Sequence, residues 1–370
     1  MKSTFIFAIL AIQFAIAVAG GPLRINLEQK IKPKKTNGLL LSDIVGTSMI
    51  NTHDVIYQGI VTVDGQKFSV VFDSGSDIFW VPGANCTSNG PHATECKSGK
   101  HLYSNPKLHS SANINFRIDY GSGMASGEWI KASSVGLGDP DNGGQVVIPN
   151  VDVGVANKME YVDMGVFGLS LQEPNGRKPM FIEAVERKLF DEPIFTAFLK
   201  KCNGGPCKGN GGMITLGGFD KENCNPVRNW ISVSNIGPLW QFPTTTVYSD
   251  NKLIKTGYVS TIVDTGTSYI EVPKSLIDPI VQNIGAEKMG DYYVVPCDSQ
   301  VTLKFAIGGV MYKVNEEQLI LNQGYGTKCV LAIRSSGDEM LILGDAFFRS
   351  YCVSFDVSKR GVGFAKPKAQ

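Results

Sequence analysis

Apolar residues are distributed in two ways along the chain. Residues 5–19 form one continuous apolar block, interrupted at Gln13 and closing on Ala17-Val18-Ala19. A block this short with a small-x-small ending predicts a signal peptide over residues 1–19, cut before Gly20, rather than a retained membrane span. No later segment is apolar for long enough to cross a bilayer. Beyond the block, Val, Ile, Thr and Phe come in short runs punctuated by 41 glycines and 18 prolines. That pattern predicts many short strands joined by tight turns, so a mainly β fold.

Two of the short runs repeat one another. Residues 68–82 read FSVVFDSGSDIFWVP and residues 259–273 read VSTIVDTGTSYIEVP. Superposing Asp73 on Asp264 also superposes Gly75 on Gly266, Val81 on Val272 and Pro82 on Pro273. Each copy predicts a strand, a tight turn carrying the acid at its lip, and a second strand. A further pair follows at comparable distance. Val166-Phe167-Gly168 ends 95 residues after Asp73, and Ile342-Leu343-Gly344 ends 80 residues after Asp264. Two related halves, each with one acidic turn, imply a pseudo-two-fold molecule that presents both carboxylates at the interface between its halves.

Two carboxyls held together cannot both ionise cheaply, because the first charge raises the pKa of the second group. One stays ionised as a base while the other keeps a proton as an acid. Such a pair can activate a water and polarise an amide carbonyl, and its titration belongs to the dyad rather than to either residue. Gly75 and Gly266 let each turn bend sharply and approach the other closely. Ser74, Ser76, Thr265 and Thr267 supply hydroxyls that can fix the carboxylates across the loops.

Charge and cysteine usage add the compartment. The chain has 370 residues, enough for two domains, and a formal charge of +1 that gives no reason to expect nucleic acid. Residues 20–50 carry Arg24, Lys30, Lys32, Lys34 and Lys35 against Glu28 and Asp43, a net of +3, whereas residues 51–370 have 29 basic and 32 acidic side chains. A basic leader before an acidic body predicts a propeptide over residues 20–50, held partly by charge. All eight cysteines fall outside C-x-x-C pairs, which predicts disulfides in an oxidising compartment rather than metal thiolates. Eight cysteines allow 105 pairings. Cys202–Cys207, around a turn, and Cys86–Cys96, around a polar loop, are the local candidates. Asn85-Cys86-Thr87 is the single N-glycosylation sequon. The four histidines, all before residue 110, read as loop residues. No metal or cofactor is called for.

From about Asp54 to Phe364 the sequence resembles the pepsin-like aspartic proteases, the group of the pepsins and cathepsins D and E. The two Asp-Ser/Thr-Gly motifs, 191 residues apart, carry the resemblance most strongly. It implies a bilobal acid protease fold of two pseudo-two-fold related β lobes, here residues 51–215 and 216–370, around a central cleft. It implies that Asp73 and Asp264 are catalytic. The family's flap corresponds to residues 118–123, so Tyr120, Gly121 and Ser122 would overhang the cleft with Trp80 behind Tyr120. Leu239-Trp240-Gln241-Phe242, Leu341-Ile342-Leu343-Gly344-Asp345 and Gly361-Val362-Gly363-Phe364 resemble its second-lobe elements. Cys297–Cys329 matches its second-lobe bridge, which leaves Cys224 and Cys352 for each other.

Some positions depart from the family pattern. Ser74 stands where Thr is commoner, and Asp77 replaces a serine and is expected to face solvent. Asp163-Met164-Gly165 replaces the usual Asp-Gly, and the leader is short. The apolar Val71, Phe167 and Ile262 suit pockets for large apolar side chains. The function this implies is an acid-acting endopeptidase, a monomer made as a zymogen, secreted or lysosomal, with protein and peptide substrates and its own leader as inhibitor. A catalytically silent homologue that binds ligands is the alternative.

Overall fold

The computed structural model describes residues 22–31, 55–89, 96, 101–105, 115–121, 123–141, 145–162, 164–171, 178–201, 211–235 and 237–368. The expected signal segment, residues 32–50 of the expected leader, Ser122, Asp163 and the expected Cys202–Cys207 bridge lie outside them.

Strands dominate the described residues, and their burial follows the two-residue period of a pleated chain. In the strand Gln66–Asp73, Phe68, Val70 and Phe72 are buried while Ser69 and Val71 are less so. In Thr302–Ile307 the buried set is Leu303, Phe305 and Ile307. Among the described residues thirteen strands form one large sheet, and two further sheets of seven and four strands lie in the second half.

The halves share a connection pattern. Gln66–Asp73 runs parallel to Gly165–Gly168, which pairs antiparallel with Phe79–Asn89, itself parallel to Val146–Glu160. In the second half Lys252–Val263 runs parallel to Met340–Leu343, which pairs antiparallel with Ile270–Val272, itself parallel to Ile333–Ser335. The internal repeat is therefore a repeat of topology, with each acidic turn at the end of the corresponding strand.

The large sheet also ties the halves together. Ile194–Leu199 pairs on one side with Gly212–Leu216 and on the other with Cys352–Asp356, which pairs with Gly361–Ala365 near the end of the chain. The lobe boundary expected between residues 215 and 216 falls inside one of these strands, and the chain turns just after it, at Gly217 and Gly218. Beneath this sheet Phe195 stacks on Phe355 with ring centroids 4.4 Å apart, and Trp240 meets both edge-on. Trp240 Nε1 donates to the Leu169 carbonyl at 2.9 Å, so the second half closes over the loop that follows Gly168 in the first.

Residues 22–31 of the expected leader are held by strand pairing as well as by charge. Leu23–Ile31 is a strand between Gly212–Leu216 and Val55–Val63. Ile25 is buried, and Arg24 pairs with Asp220 at 3.1 Å and with Glu222. Alternation in Leu23-Arg24-Ile25-Asn26-Leu27 accounts for this, because a period-2 segment is what a sheet interior accepts.

Three disulfides join described cysteines: Cys86–Cys96, Cys224–Cys352 and Cys297–Cys329. Asn85 is exposed beside the first of them. No helix among the described residues is long and apolar enough to cross a membrane.

Candidate active site

Asp73 ends its strand and Asp264 directly follows the end of its own, both at the floor of one cleft, of about 440 Å³, that runs between the halves. Each turn uses the same local bonds. Gly75 N–H donates to Asp73 Oδ1 at 2.9 Å and the Ser76 hydroxyl to Asp73 Oδ2. Gly266 N–H donates to Asp264 Oδ1 at 2.8 Å and the Thr267 hydroxyl to Asp264 Oδ2 at 2.5 Å. Donors arranged this way stabilise the ionised form and fix the plane of each carboxyl.

The two turns are interlocked. Ser74 N–H donates to Thr265 Oγ1 at 2.9 Å, and Thr265 N–H donates to Ser74 Oγ at 3.0 Å. Each hydroxyl then donates to the other half's strand, Ser74 to the Val263 carbonyl at 3.1 Å and Thr265 to the Phe72 carbonyl at 2.6 Å. Ser74 is thus a working equivalent of threonine here, since the bonds use only the hydroxyl. Glycine is required next to it. A Cβ on Gly75 would fall 2.7 Å from Asp264 Cγ, and one on Gly266 would fall 2.7 Å from Asp73 Cγ. Each half's turn is packed directly against the other half's carboxyl.

The electrostatics follow from that proximity. Burial first, then the charge of Asp264 and a hydrogen bond between the two carboxyls, hold Asp73 well above the ordinary carboxylate range. The bonds from Ser76 and Gly75 pull the other way without cancelling these. One proton shared between the carboxyls is the favoured state.

Tyr120 closes the cleft from the hairpin formed by Asn115–Tyr120 and Gly123–Leu137. Trp80 Nε1 donates to its hydroxyl at 2.7 Å. Burial, then the nearby charge of Asp73, push the Tyr120 phenol up, and the Ser76 hydroxyl lies against it. The phenol therefore stays a neutral donor. A chain of polar contacts runs from Trp80 through Tyr120 and Ser76 to Asp73, and Gly121 lies at the cleft rim.

A family model, eukaryotic aspartyl protease, matches residues 57–367. The chain belongs to that family. It is an aspartic endopeptidase by that membership. It is 32% identical over 336 residues to Aspartic protease 17 of Caenorhabditis elegans, covering 84% of this chain and 83% of that one. It is 30% identical to Embryonic pepsinogen of Gallus gallus, covering 87% and 83%, and 29% identical to Cathepsin E-A of Xenopus laevis, covering 86% and 81%.

Several expectations near the site need correction or addition. Asp77 does not point to open solvent. It is half-buried and lines the cleft, where its charge also reaches Tyr120. Val71 and Ile262 line the cleft, but Phe167 is fully buried between Phe72 and Phe79 and belongs to the core. The cleft also contains Glu271, Arg334 and Asp345, which the motif reading passed over. For Glu271 a signal was present, since it occupies in the second repeat the place that Trp80 holds in the first.

Proposed function

We propose that Asp73 and Asp264 hydrolyse peptide bonds in protein substrates at acidic pH. The ionised carboxyl takes a proton from an attacking water, while the protonated one donates to the scissile carbonyl oxygen. Proton and charge then redistribute within the pair as the tetrahedral species collapses and the amine leaves. Tyr120, Gly121 and Ser122 cover the bound chain, and Tyr120 excludes water from it. Ser74, Ser76, Thr265 and Thr267 hold the carboxyls still through the reaction. The observation that carries this reading is the packing of each turn's glycine against the other turn's carboxyl, which leaves the acids no arrangement except a pair.

Both acids come from one chain, which supports action as a monomer. Three disulfides support an oxidising compartment, hence secretion or the lysosome. The leader acts as inhibitor, and its positive charge suits a cleft lined by Asp73, Asp77, Asp119, Asp264, Glu271 and Asp345, with Arg334 the sole Lys or Arg among the described lining residues. Acid protonates those carboxyls and leaves the lysines charged, so the attraction weakens as pH falls.

The test is turnover of a denatured protein by precursor incubated across pH 3–7, beside Asp73→Asn and Asp264→Asn. Wild type should cleave in acid and lose activity as pH rises past the upper pKa of the pair. Each variant should fold and be inactive. A folded wild type with no turnover at any pH would favour the ligand-binding alternative.

A further inference from the structure

The pseudo-two-fold axis places Trp80 and Gly154 in the first half where Glu271 and Arg334 stand in the second. Trp80 is the register partner of Gly154 across one parallel strand pair, and Glu271 is the register partner of Arg334 across the other. In the first half the solution is uncharged and closed, with Trp80 fully buried and Gly154 leaving room for it. In the second half the same place holds an ion pair. Nε of Arg334 donates to Glu271 Oε1 at 2.8 Å and Nη2 donates to the same oxygen. The guanidinium carbon lies 5.5 Å from the centre of the Tyr269 ring.

The fold does not need charge at this place, as its first half shows. Ion pairs taken out of water are no more stabilising than apolar packing of the same volume. The pair also faces the cleft: Glu271, Arg334 and Tyr269 all line it, on the side of Asp264. Of the two charged side chains Glu271 is 10% exposed and Arg334 37%. The buried member grips the accessible one, and the ring fixes its plane. A planar guanidinium so held matches the two oxygens of a carboxylate.

We propose that Arg334, aligned by Glu271, is a specificity-determining residue that accepts a carboxylate side chain of the substrate against the second half's wall of the cleft. Glu271 is a positioning residue. Asp77, Asp119, Asp73, Asp264 and Asp345 repel an acidic side chain elsewhere in the cleft, so the preference is confined to one substrate position. The inference rests on the proteolytic reading above.

The experiment uses matched peptides carrying Glu, Gln, Leu or Lys in turn at each position flanking the scissile bond. Assays are run at about pH 5.5, above the ordinary Glu pKa of about 4.3. Cleavage of the Leu peptides tests the proteolytic reading separately. At one position kcat/KM for Glu should exceed that for Gln by about tenfold, the range of a charge-assisted hydrogen bond. R334Q should bring that ratio to about one, and E271Q, which leaves the guanidinium in place but no longer aligned, should lower it part of the way. Should R334Q fail to fold with Glu271 left unpaired, E271Q combined with Arg334→Met removes both charges and should likewise abolish the ratio. A wild-type ratio near one at every position would overturn the proposal. So would an R334Q enzyme slowed equally on all peptides with the ratio intact.

Discussion

Asp73 keeps only 6% of its surface exposed, and its charged form is disfavoured first by burial and then by Asp264. The folded state therefore holds a proton that the unfolded chain has released once pH exceeds about 4. With more protons bound when folded, stability falls as pH rises from about 4 towards the raised folded value. Asp73→Asn removes that loss. Its melting temperature should exceed that of the wild type at pH 7, and the advantage should shrink towards zero below about pH 4. Equal melting temperatures at both pH values would show that ionising the pair carries no folding cost. The acids were legible in the sequence because Asp73 and Asp264 stand in matching contexts. Glu271 was not, because an acid in a strand reads as an exposed side chain unless its repeat partner, Trp80, is consulted.

Between the residue and the molecule, the Trp80 donor helps to set the pose of the hairpin that carries Tyr120. Trp80 is fully buried, and its indole N–H fixes the Tyr120 hydroxyl over the cleft. Trp80→Phe keeps most of the apolar volume and removes the bond, at a cost on the order of 1 kcal/mol. Its kcat/KM should fall about fivefold while thermal stability changes little, and steady-state kinetics with a peptide substrate would separate a rise in KM from a drop in kcat. An unchanged kcat/KM would show that the hairpin holds its pose by packing alone. Strand content was readable from the glycine and proline punctuation. The strand Leu23–Ile31 was missed because five basic residues drew attention to charge over residues 20–50, while its apolar alternation spans only a few positions.

Across the molecule, Cys224–Cys352 joins two segments separated by 128 residues, close to where Cys352–Asp356 meets the first half's strands. Closing a loop of that length constrains the unfolded chain by about 4–5 kcal/mol on the entropic account. Cys224→Ser with Cys352→Ser should lower the denaturant midpoint by a matching amount while the dyad geometry survives, which residual activity below the new midpoint would report. A midpoint shift no larger than that from removing Cys86–Cys96 would argue against the loop-length account. The bilobal plan itself was visible in the repeat. The sharing of one sheet between the halves was not, since pairing partners such as Ile194–Leu199 and Cys352–Asp356 lie more than 150 residues apart.

Leu23–Ile31 bridges two strands in succession, residues 23–27 pairing with Gly212–Leu216 and residues 28–31 with Val55–Gln58. A body produced without it would leave the edges of Gly212–Leu216 and of Val55–Gln58 without this partner, and edges of that kind recruit any extended peptide that fits. Residues 51–370 expressed alone should consequently self-associate, with size-exclusion profiles that shift to larger species as concentration rises. Adding a synthetic peptide of residues 22–31 during refolding should restore a monomer, whereas a scrambled peptide of the same composition should not. The leader would then serve as a template strand for assembly of the sheet as well as a plug for the cleft, and shortening it from its N-terminal end would lower the yield of folded protein before it relieved inhibition.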